Sequence, residues 1–567
     1  MTAPAPTESS ADLLAVSSLC EAFQNTVAAR GDATALRTVG GGVTISWREY
    51  GERVRRVAAG LAALGVGRGD TVGIMLVNRP EFSIVDTAAL HLGATPFSIY
   101  NTSSPEQIAY LFGNAGNRLV VTEQAFVDQI RAAGTDVETI VSVDGGDGTV
   151  SLDDLEGRGD PGFDFDASWR AVGPDDVLTL IYTSGTTGPP KGVEITHANM
   201  IEQIRMCQAR LAGSPDDRLL SYLPAAHIAD RWGTHYTSMV MGCQTTFCPD
   251  PREVAAALPD AKPTAWGAVP RVWEKIKASL EAHGITDPAA LPEETRAGVR
   301  ALLGLDEMRW AVSGAAPIAP SVLEYFSALG FTVCELWGMS ELSCCATMNP
   351  PDDIRVGTVG TALPGVELRL ADDGELLVKA PTVMRGYRND PDRTAETIDA
   401  DGFLHTGDIA TIDDDGYVTI VDRKKELIIN SAGKNMSPAN IEQTVKASSP
   451  LIGQAICIGD RRPYNVALLV LDPDFSAAYA EKAGLTDTSA AALARDPGVQ
   501  QVVADAVASA NQRLSRVEQI KRYTILPVDW EPGGDELTPT MKLRRRPIAD
   551  KYATEIEALY AAGDDEA

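Results

Sequence analysis

Tyr182-Thr183-Ser184-Gly185-Thr186-Thr187-Gly188-Pro189-Pro190-Lys191-Gly192-Val193 is the stretch that decides the fold. It follows the apolar run 177–182 and leads to a helix expected to start near His197-Ala198-Asn199. A short continuous apolar run bounded by turn residues reads as a strand buried on both faces. The hydroxyls and glycines after it let backbone and side-chain donors converge on phosphate oxygens, and Lys191 adds a mobile positive charge. A flexible linker of the same composition would not sit between a buried strand and a helix with a lysine at the turn. The stretch is not a Walker A loop. That pattern needs Gly directly before the lysine and Ser or Thr directly after it, and here Pro190 and Gly192 occupy those places.

Upstream, residues 44–64 form an amphipathic helix pattern, 70–77 a buried strand, 81–93 a helix and 117–123 another apolar strand. Strands alternating with helices argue for α/β architecture, a largely parallel, helix-covered sheet. Residues 145–172, rich in Gly and Asp, read as a surface excursion. The alternation resumes at 177 and runs to about 345, where short strands and Gly turns (365–381, 415–429) replace it as a small β-rich subdomain. An α+β unit follows, with strands at 454–460, 466–472 and 523–528 and a helix at 498–514. The expected organisation is a flexible tail over 1–15, a large N-terminal domain over 16–421 and a smaller, mobile α+β C-terminal domain over 422–567. No internal repeat is visible.

The 567 residues carry 49 basic and 78 acidic side chains, a net charge of −29. A field of that sign disfavours nucleic acid and anionic membranes, so any anionic ligand needs a local cationic cluster. Two clusters stand out, Lys542-Leu543-Arg544-Arg545-Arg546 and Asp422-Arg423-Lys424-Lys425. The eight cysteines form no CxxC pair and no zinc-like spacing, which suits buried thiols in a reducing compartment. The N-terminus lacks a basic region followed by an apolar run, and no stretch reaches the length of a membrane span, so a cytoplasmic protein without a transmembrane segment is expected.

Further motifs follow in order: Ser313-Gly314-Ala315-Ala316-Pro317, Leu336-Trp337-Gly338-Met339-Ser340-Glu341, Phe403-Leu404-His405-Thr406-Gly407-Asp408, Asp422-Arg423-Lys424-Lys425, Ser431-Ala432-Gly433-Lys434-Asn435 and Glu536-Leu537-Thr538-Pro539-Thr540-Met541-Lys542. With the loop at 182–193 they resemble the adenylate-forming superfamily of acyl-CoA synthetases, firefly-type luciferases and peptide-synthetase adenylation domains. The resemblance implies that Thr183, Ser184, Gly185, Thr186, Thr187 and Lys191 hold the phosphates of ATP. Gly314, Ala315, Ala316, Trp337 and Gly338 would bind adenine, Asp408 and Arg423 the ribose, and Glu341 Mg²⁺. Lys542, Thr183, Ser340, Glu341 and His227 would be the catalytic groups. Asp422 would be the interdomain hinge, and Gly433 would line the path of coenzyme A. Trp337 and Ser340 depart from the family's usual Tyr and Thr.

Val269-Pro270-Arg271-Val272-Trp273 and His227-Ile228-Ala229-Asp230-Arg231 resemble the long-chain fatty acyl-CoA synthetase branch. There His227 would sit at the carboxylate end of an acyl pocket and Trp273 would be its gate. The implied activity joins a medium- or long-chain fatty acid to coenzyme A through an acyl-AMP, with ATP, Mg²⁺ and a small carboxylate as partners. The rival readings are an acyl-AMP ligase that loads a carrier protein, a ligase for a branched or cyclic acid, and a non-catalytic nucleotide-binding relative. Oligomeric state is open, a homodimer included.

Overall fold

The computed structural model describes residues 13–183, 189–431, 434–538 and 541–561. Its largest sheet has eight strands in the order Gly386–Tyr387, Lys191–Thr196, Val177–Thr183, Thr95–Ser98, Thr71–Met75, Leu119–Thr122, Thr139–Ser142 and Val150–Ser151. From Val177–Thr183 outward to Val150–Ser151 all neighbours are parallel, the arrangement that crossover helices impose. Helix Trp47–Ala63 is one cover of the core. Its N-cap Ser46 accepts from the Glu49 amide, and Trp47, Tyr50, Val54, Val57 and Leu61 face inward.

Two sequence expectations change here. Lys191–Thr196 is a strand antiparallel to Val177–Thr183, with Thr183 opposite Lys191. The polar loop therefore closes a hairpin rather than joining a strand to a helix. The short period-2 pattern is the cause: Val193 and Ile195 are buried, while Glu194 between them pairs with Arg388 at 3.4 Å. Helix His197–Arg210 follows only after this strand.

The second change concerns 145–172, which is not simply a surface excursion. It contains helices Leu152–Gly157 and Phe165–Arg170, capped by Ser151 and Asp164. Leu152, Leu155 and Phe165 are buried in the main core. Gly60 allows this docking, since a Cβ there would lie 2.0 Å from the Leu155 carbonyl oxygen.

Strands Ala265–Ala268, Trp310–Ser313 and Val333–Trp337 run parallel and are extended by the antiparallel pair Thr347–Met348 and Thr361–Ala362. The β-rich unit is an antiparallel sheet of Glu367–Leu370, Glu375–Lys379, Leu404–Ile412 and Val418–Arg423. Beyond it, Ile452–Ile458, Asn465–Leu471 and Ile520–Ile525 form a three-stranded sheet. Helices Pro438–Lys446 and Pro497–Arg513 share that sheet's separate apolar core. Among the described residues no helix is long and apolar enough to cross a membrane.

Candidate active site

A cavity of roughly 3160 Å³ opens among these sheets, with Thr183, Lys191, Trp337, Glu341, Asp408 and Lys542 all on its wall. It is larger than the few hundred to a thousand Å³ of an ordinary small-molecule pocket, so two substrates fit side by side. The strand ends supply the groups. Thr183 closes Val177–Thr183, Lys191 opens Lys191–Thr196, and Trp337 ends Val333–Trp337. Ser184, Gly185, Thr186 and Thr187, expected on the phosphates, lie outside the described residues, as does Gly433.

Asp408 sits deep, 4% exposed. Its Oδ2 accepts the indole N–H of Trp337 at 2.8 Å, and its Oδ1 meets Nε of Arg423 at 2.7 Å. Burial raises the Asp408 pKa, and Arg423 and Trp337 oppose that rise. Gly338 must be glycine, because a Cβ would fall 1.9 Å from the carbonyl oxygen of Cys344. Ala315 holds φ at 68°, a left-handed backbone that a residue with a Cβ rarely adopts.

Lys191 donates from Nζ to the Tyr387 hydroxyl at 3.1 Å, and that hydroxyl donates to Oε1 of Glu341 at 2.8 Å. Burial lowers the Lys191 pKa, with Glu341 opposing. Glu341 is 5% exposed. Among the described residues no group of three or more metal-binding side chains exists, so any Mg²⁺ here would combine Glu341 with phosphate oxygens, the usual habit of that ion.

Lys542 reaches the same place from the far end of the chain. Its amide donates to Oγ1 of Thr538 at 3.0 Å. Enclosure by the cleft walls lowers its pKa, Arg423 lowers it further, and Asp408 and Glu341 act the other way. Lys542 is solvent-exposed and lines the cavity that Asp408 and Glu341 also line. His227 is held neutral, its pKa lowered to about 4 by burial and by Lys542. Its Nδ1 accepts the Ala229 amide at 3.2 Å.

The buried polar atoms on the cavity wall that lack protein partners include Oγ1 of Thr183, Oγ of Ser313 and Oε2 of Glu335. Buried polar atoms are ordinarily satisfied, so this wall is built for a polar guest. The family description "AMP-binding enzyme" matches residues 23–388, and its C-terminal domain matches 425–564. The chain belongs to the AMP-binding enzyme family.

Among relatives of this AMP-binding enzyme, fadD11 of Mycobacterium tuberculosis is 52% identical over 73% of this chain and 79% of its own length. The long-chain-fatty-acid–CoA ligase FadD15 of the same organism is 34% identical, covering 91% of this chain and 92% of its own. The fold also matches the adenylation domain of a carboxylate reductase from Mycobacterium chelonae, with TM-score 0.81 and 22% identity over 98% of this chain and 94% of that one.

One expected site residue stands elsewhere. Trp273 of this AMP-binding enzyme is fully buried, its ring 4.9 Å from those of Trp266 and Phe326. It belongs to an apolar core while its neighbours Val272 and Ile276 reach the cavity. The rings of Trp266 and Phe326 enclose the indole and shut it off from the cavity that Ile276 and Leu280, on the same face of helix Pro270–Ala282, still reach. Two residues escaped the sequence reading. Tyr387 joins Lys191 to Glu341, and its only signal is a two-residue strand, Gly386–Tyr387, beside Lys191–Thr196. Glu335 shares a strand face with Trp337, and burial raises its pKa to about 8. A carboxyl inside an otherwise apolar strand was the available clue.

Proposed function

We propose that this enzyme joins a fatty acid to coenzyme A in two steps at one centre. The observation carrying the proposal is Lys542, which lies in the same cavity as Asp408, Glu341 and His227. A carboxylate resists attack because an oxide-like group would have to leave. Its oxygen first attacks the α-phosphorus of ATP, releasing pyrophosphate and forming acyl-AMP. The thiol sulfur of coenzyme A then attacks the acyl carbon, AMP departs with the C–O electron pair, and the thiol proton passes to solvent.

In this account Asp408 and Arg423 hold the ribose, Trp337 and the 313–317 backbone hold adenine, and Thr183, Ser340 and Lys191 hold phosphate and carboxylate oxygens. Glu341 would hold Mg²⁺, which would neutralise phosphate charge. Holding both reactants in line is worth about 7–11 kcal/mol. Lys542 supplies a cation where negative charge builds on the carboxylate and α-phosphate. His227, neutral and beside Lys542, marks the carboxylate end of the acyl cavity. Neither step needs a covalent enzyme intermediate, in keeping with eight cysteines that are all buried and a cytoplasmic, reducing setting.

The second step needs a different surface. Asp422 is the proposed pivot between residues 16–421 and 422–567. Its Oδ2 accepts from Ser437 Oγ at 2.6 Å and from the Ala439 amide at 3.1 Å, so it anchors the start of helix Pro438–Lys446. Rotation there would withdraw Lys542 and bring the 431–435 segment, Gly433 included, to the path of the thiol. Every named group comes from one chain, so a homodimer is not required.

The test is coenzyme A consumption with dodecanoate, ATP and Mg²⁺. Acyl-CoA and AMP should form in equal amounts. Accumulation of acyl-AMP with coenzyme A untouched would instead indicate a ligase that serves a carrier protein.

A further inference from the structure

Residues Arg231–Tyr236 form a π-helix, a rare widened turn that is frequent at functional sites. One of its faces is pinned. The Arg231 guanidinium, fully buried, reaches Asp86 Oδ2 at 2.5 Å, the Tyr236 hydroxyl at 2.7 Å, Ser98 Oγ at 2.9 Å and the Ala225 carbonyl at 3.0 Å. His235 Nε2 lies 3.0 Å from the other Asp86 oxygen. The opposite face is half-buried and lines the cavity through Trp232, Gly233 and Thr234. Helix His197–Arg210 packs against this segment. It turns Ile204, Cys207 and Gln208 to the same cavity, at the spacing of one helical face.

Gly233 is the anomaly. Glycine weakens a helix interior because it loses more backbone freedom on folding than any other residue. Two ordinary reasons for keeping one are missing. Its φ is not among the positive values that favour glycine, and a Cβ built on it meets nothing within 4 Å. Other cavity glycines differ. A Cβ would meet Leu336 at 2.6 Å from Gly314, Gln208 at 2.9 Å from Gly213, and Val312 at 3.3 Å from Gly267. The one consequence of the missing side chain at 233 is open volume in the wall between two helices.

We infer that Gly233 determines acyl-chain length: the body of a long chain passes over it, between the cavity faces of Arg231–Tyr236 and His197–Arg210. This deepens the fatty-acid reading and rests on it. Because the Asp86 network fixes the helix from behind, a larger side chain at 233 points into the cavity and leaves its own backbone in place.

The experiment compares wild type, Gly233→Ala and Gly233→Leu with acids from butanoate to octadecanoate, following pyrophosphate release. Thermal melting is recorded for each protein. Gly233→Leu should lose about tenfold or more on hexadecanoate, the scale on which a pocket discriminates by a few methylenes. Activity on hexanoate and the KM for ATP should stay within about twofold. Gly233→Ala should melt no lower than wild type, which checks that side chains are tolerated there. A uniform loss across all acids with unchanged melting, or an unaltered profile, overturns the inference while leaving the ligase reading intact. Wild-type protein inactive on every acid would instead overturn the ligase reading.

Discussion

Trp337 stands where the resemblance leads one to expect tyrosine, and its indole N–H is a donor to a buried carboxylate. It donates to Asp408 at 2.8 Å from within a buried wall. Hydrogen bonds to charged groups contribute about 1.5–3 kcal/mol. Trp337→Phe keeps a flat ring for adenine but removes the donor, and burial then favours the protonated carboxyl more strongly. The KM for ATP should rise about tenfold or more, with the ranking of acids unchanged in a carboxylate panel. An unaltered KM would mean that Arg423 alone sets the Asp408 carboxylate. Glu335 and Tyr387 show what a sequence conceals at this scale. Their roles depend on which strand faces converge, and neither belongs to a run of residues whose order alone suggests chemistry.

At the scale of elements, the buried Asp86–Arg231–His235 cluster holds the π-helix that walls the cavity. Burial alone would raise the Asp86 pKa, but Arg231 and His235 outweigh it and the net shift is downward. A carboxyl lowered on folding stabilises the fold above its unfolded value, near 4, and that contribution is lost as pH falls through the lower folded value. Asp86→Ala should cost about 3–5 kcal/mol, because it strands a buried guanidinium. It should also flatten the acid side of the stability curve measured by urea unfolding between pH 3 and pH 7, ~4 units that bracket the unfolded carboxyl. A small loss, with the acid limb unchanged, would show that Arg231 finds another partner. Much of the element level was legible: the alternating strands and helices before residue 130, and the C-terminal strands, fall where the apolar periodicity put them. Lys191–Thr196 was not, since six residues with a glycine and a lysine resemble a loop until Val177–Thr183 offers them a partner. Trp273 misled for a related reason. Its motif fixes the helix, but only packing reveals which neighbour on that helix meets the cavity.

At the scale of the molecule, a net charge of −29 leaves cations at a premium, and several are already committed. Arg545 forms a bidentate pair with Glu442 at 2.6 and 2.7 Å, and Lys424 lies 2.9 Å from Glu375 and 2.5 Å from Asp373. Lys542 instead lines the cleft, where the proposed mechanism has its ammonium face the reacting phosphate. The helix Pro270–Ala282 touches the C-terminal unit through Arg271 with Asp472 and through Lys275 with Asp474 at 2.5 Å. The Lys275–Asp474 pair is well exposed, and such pairs contribute about 0–1 kcal/mol, a weak hold on the unit proposed to rotate at Asp422. Lys542→Ala should reduce adenylate formation about 10²–10³-fold yet leave thioester formation from supplied acyl-AMP nearly intact. Equal loss of both steps would remove Lys542 from this role and with it the reason for rotation at Asp422. Motif order suggested the two-part layout, but that Lys542 lines the same cavity as Asp408 and Glu341 is a property of the folded chain alone.

The central claim is that a fatty carboxylate meets the α-phosphorus of ATP in this cavity. Exchange of labelled pyrophosphate into ATP, measured with Mg²⁺ and without coenzyme A, tests it most directly. The account predicts exchange that requires a fatty acid and disappears in Lys542→Ala. Exchange that ignores the acid, or release of ADP and phosphate in its place, would contradict it.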